Sequence, residues 1–486
     1  MKQKTPLFLF SLLIFPLFSA QNGKTNPLQA CWEKQVKLQE GNYFVFSYQE
    51  KLNELYHSQE PWQQLNYAGK GTIWYNQDNF LKQDTLVSGR RTLYSKIHFT
   101  KTELLFQDHG DKNLSAITKS MFLDQTFETA RYTPATLINY FFVQKIPEDK
   151  TSNKEFSLYK TRINKTIVTL FIRNSDKLLE KITTLQHDDL HGDLLNTFTY
   201  SDYSTRGSLA YPKTIRIEKV NGKIHDEVSI LTTDLVGALP SLLEKPADYT
   251  IGEDIVEKPE TKTEKYSEAI HFIDMPHTGS KVTVVEFSDF LLVAEAPLNS
   301  QNGELIISEA KKIAPGKPIK YFTFGHHHPH YLGGMRAFIH KEVTILSVRE
   351  DLPYLGYLAN APHTIEPDSL QLQPKPYKIE EIKDSMTISD GNFEMKIYFI
   401  GKKSGHTSDY LLYYFPAEKL LLEGDLIWIE KEGEIKKAGK NQAGVYYAIK
   451  DLGIEVETIV QTWGIEFGAY KSVIPFEDLE RSVNVK

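Results

Sequence analysis

Four of the chain's fifteen histidines fall within five residues, in the run Thr323-Phe324-Gly325-His326-His327-His328-Pro329-His330-Tyr331-Leu332-Gly333-Gly334. Imidazole nitrogens at that density are suited to zinc and its neighbours. In an extended loop, residues i and i+2 point the same way. His326 and His328 are therefore placed to grip one ion together, while His327 points to a supporting position or the surface. The fixed φ of Pro329 helps to aim His330.

The elements that must position these residues can be read on either side. Residues 319–324 read as a short buried strand, and residues 332–340 as a helix opening on two glycines. The histidines thus sit on the loop leaving the C-terminal end of a strand, where α/β proteins place ligands. Two further pieces belong with them. Ser404-Gly405-His406-Thr407 precedes a strand at 410–414, and Gly424-Asp425 lies just past a strand at 420–422. Around them, strands are expected at 282–287, 290–294 and 343–348, with a helix over 304–314 capped near Asn302 or Ser300. Hairpins are expected over Asp390-Gly391 and over Pro416. Strands alternating with helices predict α/β layers.

In these residues the segment from 282 to about 475 resembles the metallo-β-lactamase superfamily. The first family motif is Thr-His-x-His-x-Asp-His-x-Gly-Gly, the second a Gly-His-Thr before a strand, the third an Asp at the end of the next strand. The resemblance implies an αββα sandwich. It places His326, His328 and His406 as the ligands of a first zinc, with Asp425 as a further ligand or an acceptor orienting one. The sequence also departs from the pattern. His330 replaces the family Asp, Tyr331 replaces the next His, and no histidine follows His406, so the last family ligand is missing near Trp463-Gly464. The first site is therefore expected whole, while the second keeps only His330 and Asp425, with Tyr331 as an outside candidate. One zinc is expected to bind firmly, with the second weak or absent. Three protein ligands and a free corner make the open arrangement of a catalytic zinc, which brings a water's pKa to about 7. His330 is a candidate ligand or general base, since imidazole titrates near ~6.5. Tyr331 is a candidate donor to a developing oxyanion.

The first half reads differently. Residues 21–60 are expected as a helical lead-in, with a helix over 43–56. From about 69 to 239 short alternating segments, such as 71–75, 92–99, 167–172 and 214–218, are broken by Asn221-Gly222 and the Asp108-His109-Gly110-Asp111 turn. A helix is expected over 133–140, with Pro134 in its first turn. These signals predict a large curved antiparallel sheet with a few helices over residues 21–265. Residues 257–265 are polar and charged and read as a linker or exposed edge, so a second domain is expected over 266–486. Tyr200-Ser201-Asp202-Tyr203 and the strand after Pro212 weakly resemble the curved-sheet carriers of lipoproteins and other apolar cargo.

Composition narrows the rest. A length of 486 residues exceeds one ordinary core. The net charge of −7 gives no basic face for nucleic acid. Lys2, Lys4, an apolar run over 7–18 and Ser19-Ala20 read as a signal peptide over residues 1–20, which implies a periplasmic or secreted protein. The sole cysteine, Cys31, lies too far from that run to be lipidated, and it excludes an internal disulfide. No later stretch is apolar enough for a membrane helix. No Gly-x-Ser-x-Gly elbow or Cys-x-x-Cys pair occurs, and Gly69-Lys70-Gly71-Thr72 lacks the upstream glycine of a phosphate loop. His363 is a lesser candidate for the mouth of the site. The expected protein is an exported zinc-dependent hydrolase acting on an ester, amide or phosphoester of a small-molecule substrate. Its rival is a retired metal- or ligand-binding protein whose first half holds an apolar ligand or partner.

Overall fold

The computed structural model describes residues 26–55, 59–108, 111–255, 258–464 and 468–485. The expected signal peptide, and His109 and Gly110 of the expected turn, lie outside the described residues. The described strands form three sheets, of eleven, seven and six strands.

The eleven-stranded sheet is antiparallel throughout and runs from Tyr43 to Val236. Its first strand, Tyr43–Leu55, lies at the centre, between Gln64–Tyr75 and Ile224–Val236. This replaces the helix expected over 43–56. Phe44, Phe46, Tyr48, Glu50 and Leu52 are buried and their neighbours are not, so the burial period is two, which only a strand gives. The apolar spacing and charged face that suggested a helix come largely from Glu-Lys-Leu-Asn-Glu-Leu at its end, and pairing on both sides overrides them. Helices Pro27–Gln35, Lys119–Glu128 and Ala135–Val143 contribute to one apolar core with the sheet, including Phe44, Phe46, Ile138 and Phe141. Cys31 is fully buried there, and burial pushes its thiol up to about 12. The large antiparallel sheet with a few helices is as expected.

The other two sheets form a sandwich. One runs in the order Lys262–Lys265, Ile270–Met275, Ser280–Glu286, Leu291–Ala294, Ile319–Thr323, Thr344–Ser347 and Lys378–Glu381. The other runs from Ser385–Ser389 to Val473–Pro475. Phe272, Val285, Leu292 and Leu346 of the first meet Met395, Ile397, Leu411 and Leu422 of the second in one core. On the outer face of the first lie helices Ser300–Ile313, Met335–His340 and Leu352–Asn360. On the outer face of the second lie Lys440–Leu452 and Phe476–Asn484. The layers are therefore α, β, β, α, as the resemblance implies. The polar stretch before residue 266 contributes the exposed edge strand Lys262–Lys265.

Two local expectations are corrected. The helix expected over 332–340 is two short ones, Pro329–Leu332 and Met335–His340. A Cβ on Gly333 would lie 2.4 Å from the Leu298 carbonyl, and one on Gly334 would lie 2.9 Å from the Ala296 Cβ. The two glycines let the chain break exactly where another backbone crosses it. The helix after residue 299 begins at Ser300, earlier than expected, with Asn299 as its cap accepting from the Asn302 N–H.

A buried ion pair ties the outer helices together. Arg336 donates to both Asp368 oxygens at 2.6 and 3.0 Å, and to the carbonyls of Leu358, Ala359 and Ala361. Burial alone would raise the Asp368 carboxyl, but the hydrogen bonds from Arg336 outweigh it and hold the group well below the usual carboxylate range. Its stabilisation is thus full above the unfolded carboxyl pKa near ~4 and is lost as pH falls towards the folded value. Asp368→Asn is expected to flatten the acid limb of a stability–pH curve measured by urea denaturation. Gly333→Ala is expected to cost about 1–3 kcal/mol in the same assay.

Candidate metal centre

The two facing sheets bring distant residues together at one end of the sandwich. The strand Ile319–Thr323 leads into the loop carrying His326, His327 and His328. The turn Gly401–Ser404, followed by Gly405 at φ +71°, presents His406. The strand Leu420–Glu423 ends just before Asp425. The Leu411 N–H donates to the Gly325 carbonyl at 2.7 Å. That bond stitches the loop leaving one sheet to a strand of the other.

His326, His328, His406 and Asp425 each offer one ligand atom, all within 4.8 Å of one another. His326 Nε2 lies 3.0 Å from His328 Nδ1, and His406 Nε2 lies 3.3 Å from Asp425 Oδ2. Tetrahedral ligands at zinc distances stand about 3.3 Å apart. The ring centroids are 4.5 Å apart for His326 and His328, and 5.0 Å for each of them with His406. The planes cross at 75°, 89° and 84°. Three imidazoles and a carboxylate, set this way, fit a divalent ion of the zinc kind.

The surroundings hold the rings. His326 is fully buried between Tyr410, stacked at 4.8 Å, and Tyr331, at 4.1 Å. The Tyr410 hydroxyl donates to Glu423 and accepts from the Gly424 and Asp425 N–H groups at 2.7 and 3.2 Å. It therefore fixes the backbone on which Asp425 stands. Burial keeps the Tyr410 and Tyr331 hydroxyls protonated, and the nearby carboxylates add to this. Burial also raises Glu423 to about 8 and holds Glu295 well above its usual range. Glu295 accepts from the Gly325 N–H at 3.2 Å, and its own backbone is at φ +77°. The segment that follows, with Leu298 at φ +68°, straps the short helix Pro329–Leu332 by bonds from Ala296 and Leu298 to Tyr331 and Pro329. Such strain persists where surrounding contacts over-determine it.

The expected residues are placed as follows. His326, His328, His406 and Asp425 come together. His330 sits on the short helix with its ring 4.7 Å from Trp463. Tyr331 is 1% exposed, and its hydroxyl lies among the carboxylates of Asp425, Glu295 and Glu423. His363 lines a cavity with His187 and Asp368 in which the four clustered residues take no part.

Sequence reasoning missed the support behind the loop. His327 is buried, and Asp409 accepts from its N–H at 2.6 Å and faces its Nδ1 at 3.1 Å. Asp351 joins this cluster and accepts from the Ser347 hydroxyl at 2.8 Å. Burial and the neighbouring Asp409 charge keep Asp351 protonated, while the His327 contact outweighs burial and lowers Asp409. Asp409 could have been suspected from its place two residues after Thr407. Nothing in the sequence brings Asp351 near. The first half also reaches this region. The Gln59 carbonyl accepts from the Ser408 N–H and hydroxyl at 2.8 and 3.0 Å, two residues from His406.

No family model and no curated protein matches the chain. Solved structures similar to it include metallo-β-lactamases. The one from Pontibacter korlensis is 16% identical with a TM-score of 0.33, covering 46% of this chain and 97% of that one. DIM-1 is 16% identical with a TM-score of 0.34, covering 47% and 97%. FIM-1 from Pseudomonas aeruginosa, in its mono-zinc form, is 15% identical with a TM-score of 0.33, covering 46% and 93%. The architecture of this chain rests on its own sheets and layers.

Asp409→Ala removes the acceptor that aims the loop from behind. It is expected to weaken metal binding by about 10–100-fold, as loss of outer partners does elsewhere. Competition with a chromogenic chelator measures it, with the far-ultraviolet dichroism unchanged.

Proposed function

We propose that the chain is an exported metal-dependent hydrolase, with its chemistry in residues 266–486 and a β-rich unit over 21–265 beside it. The observation that carries this reading is the convergence of three near-perpendicular imidazoles and one carboxylate at the shared end of two sheets. His326, His328 and His406 would hold one zinc firmly, and the second family position, left with His330 and Asp425, would hold little or none. When bound, such an ion supplies Lewis acidity and makes a water acidic enough to ionise near pH 7.

The chain's own groups then divide the work. Asp425 Oδ2 accepts and orients a proton beside His406 Nε2, 3.3 Å away. Tyr331 acts through that carboxylate, because its buried hydroxyl lies against Asp425. His330 exchanges the proton that leaves the nucleophile and returns to the leaving group. Trp463, against His330, gives the substrate an apolar wall. The substrate is a small molecule with an ester, amide or phosphoester bond, and nucleic acid is not expected from the charge. The leader at residues 1–20 directs the chain to the periplasm or beyond, and no described helix is long and apolar enough to cross a membrane.

His326→Ala is expected to remove one equivalent of bound metal and to lower hydrolysis of generic ester and phosphodiester probes at least ~100-fold. His330→Ala should lower kcat while leaving bound metal unchanged. Full hydrolysis by His326→Ala would move the chemistry elsewhere. Metal binding with no hydrolysis of any probe would favour a retired binding protein.

A further inference from the structure

A second group of metal-type donors lies behind the histidine loop and shares no residue with the four that converge in front of it. His327 follows the strand Ile319–Thr323. Asp351 closes the single turn Arg349–Asp351, just after the neighbouring parallel strand Thr344–Ser347. Asp409 precedes the strand Leu411–Phe415 of the facing sheet. Three segments distant in sequence thus bring two carboxyls and an imidazole to one point. Each offers one ligand atom, and these atoms all lie within 4.8 Å of one another, the same closeness found among His326, His328, His406 and Asp425.

All three side chains are buried, the most open at 4% exposure. Charges taken this far from water are paired or coordinate a metal. His327 Nδ1 stands 3.1 Å from both Asp409 oxygens, aimed at neither in preference to the other. Donors bound about 2.1 Å from one ion stand about 3.0–3.4 Å apart. Asp351 is turned towards this pair by the Ser347 hydroxyl, which donates to its Oδ2 at 2.8 Å. Its Oδ1 is buried, and no N–H or hydroxyl donates to it. The Asp351 and Asp409 carboxyls are nevertheless in hydrogen-bonding contact with each other. Two carboxyls in that position are joined only by a proton or by a cation.

We propose that His327, Asp351 and Asp409 bind a divalent first-row metal ion, as a structural site behind the catalytic one. Two carboxylates neutralise its charge, and the imidazole selects zinc, iron or manganese over magnesium and calcium. Neither His330 nor Asp425, the remnant of the second family position, takes part. Three imidazoles hold zinc more tightly than one, so the first equivalent goes to the centre at His326. The second ties the turn after Thr344–Ser347 and the start of Leu411–Phe415 to the histidine loop. His327 is then locked, and His326 and His328 on either side of it keep their aim.

The test uses the full chain, stripped by chelator and dialysed against zinc, with bound metal counted by mass spectrometry. Two equivalents are expected for the unaltered chain. Asp351→Asn keeps the shape and hydrogen bonding of a protonated carboxyl but removes the charged ligand, and one equivalent is expected for it. One is also expected for His326→Gln, and none for His326→Gln/Asp351→Asn. Zinc-edge X-ray absorption on His326→Gln, which leaves the buried cluster untouched, should show one imidazole among oxygens. Two imidazoles there would put the ion on His328 and His406 and overturn this inference. Two equivalents kept in Asp351→Asn would assign the cluster to a shared proton and overturn it as well. A single equivalent in the unaltered chain, kept in Asp351→Asn and lost in His326→Gln, would overturn this inference alone and leave the proposed catalytic centre standing. A single equivalent lost in Asp351→Asn and kept in His326→Gln would do the reverse.

Discussion

Two ring nitrogens 3.0 Å apart, His326 Nε2 and His328 Nδ1, need a proton or a cation between them. A third imidazole and a carboxylate close the same space from the opposite sheet. Much of the nearby structure exists to hold that unfavourable grouping in place. The Gly325 carbonyl takes the Leu411 N–H across the sheets, Tyr331 and Tyr410 cover both faces of His326, and Asp409 anchors His327 from behind. Each contact limits the freedom of the loop before any ligand arrives, which is what preorganisation of a site means.

The groups behind the rings are as informative as the rings. Glu295, Glu423, Asp351 and Asp409 are all nearly fully buried beside or behind the centre. Four ionised carboxylates could not share that volume, and three of them are raised by burial while Asp409 is held low by His327. A protonated acid can donate as well as accept, so these groups form a polar floor without a large negative charge. The first half adds a second constraint from outside. Gln59 holds Ser408, two residues from His406, and Trp62 packs edge-on against Tyr354 and Tyr357. The connection between the strands Tyr43–Leu55 and Gln64–Tyr75 therefore reaches the loop carrying His406 as well as the outer helices.

The sandwich and its four convergent residues were legible through the family resemblance, whose motifs are local. A His-x-His pair, a Gly-His-Thr and a Gly-Asp each sit at a strand end, and strand ends survive without knowledge of the whole. The strand Tyr43–Leu55 was not legible. Its opening residues, Tyr43 to Tyr48, alternate as a strand does, but the helix formers from Glu50 to Leu55 obscure that period, and the pairing with Gln64–Tyr75 and Ile224–Val236 carries the strand through them. The split at Gly333-Gly334 was hidden for a related reason. The glycines read as a helix start, while their role is to admit Leu298 and Gly303 from elsewhere in the chain. Asp351 and His187 belong to contacts between segments far apart in sequence, and no spacing rule reaches them.

The most direct measurement is X-ray absorption at the zinc edge, on full-length protein carrying a single equivalent of zinc. The account predicts three imidazole nitrogens at about 2.0–2.1 Å, with the multiple scattering of intact rings, and one further oxygen. Fewer than three imidazoles, or a shell of oxygens alone, would contradict it.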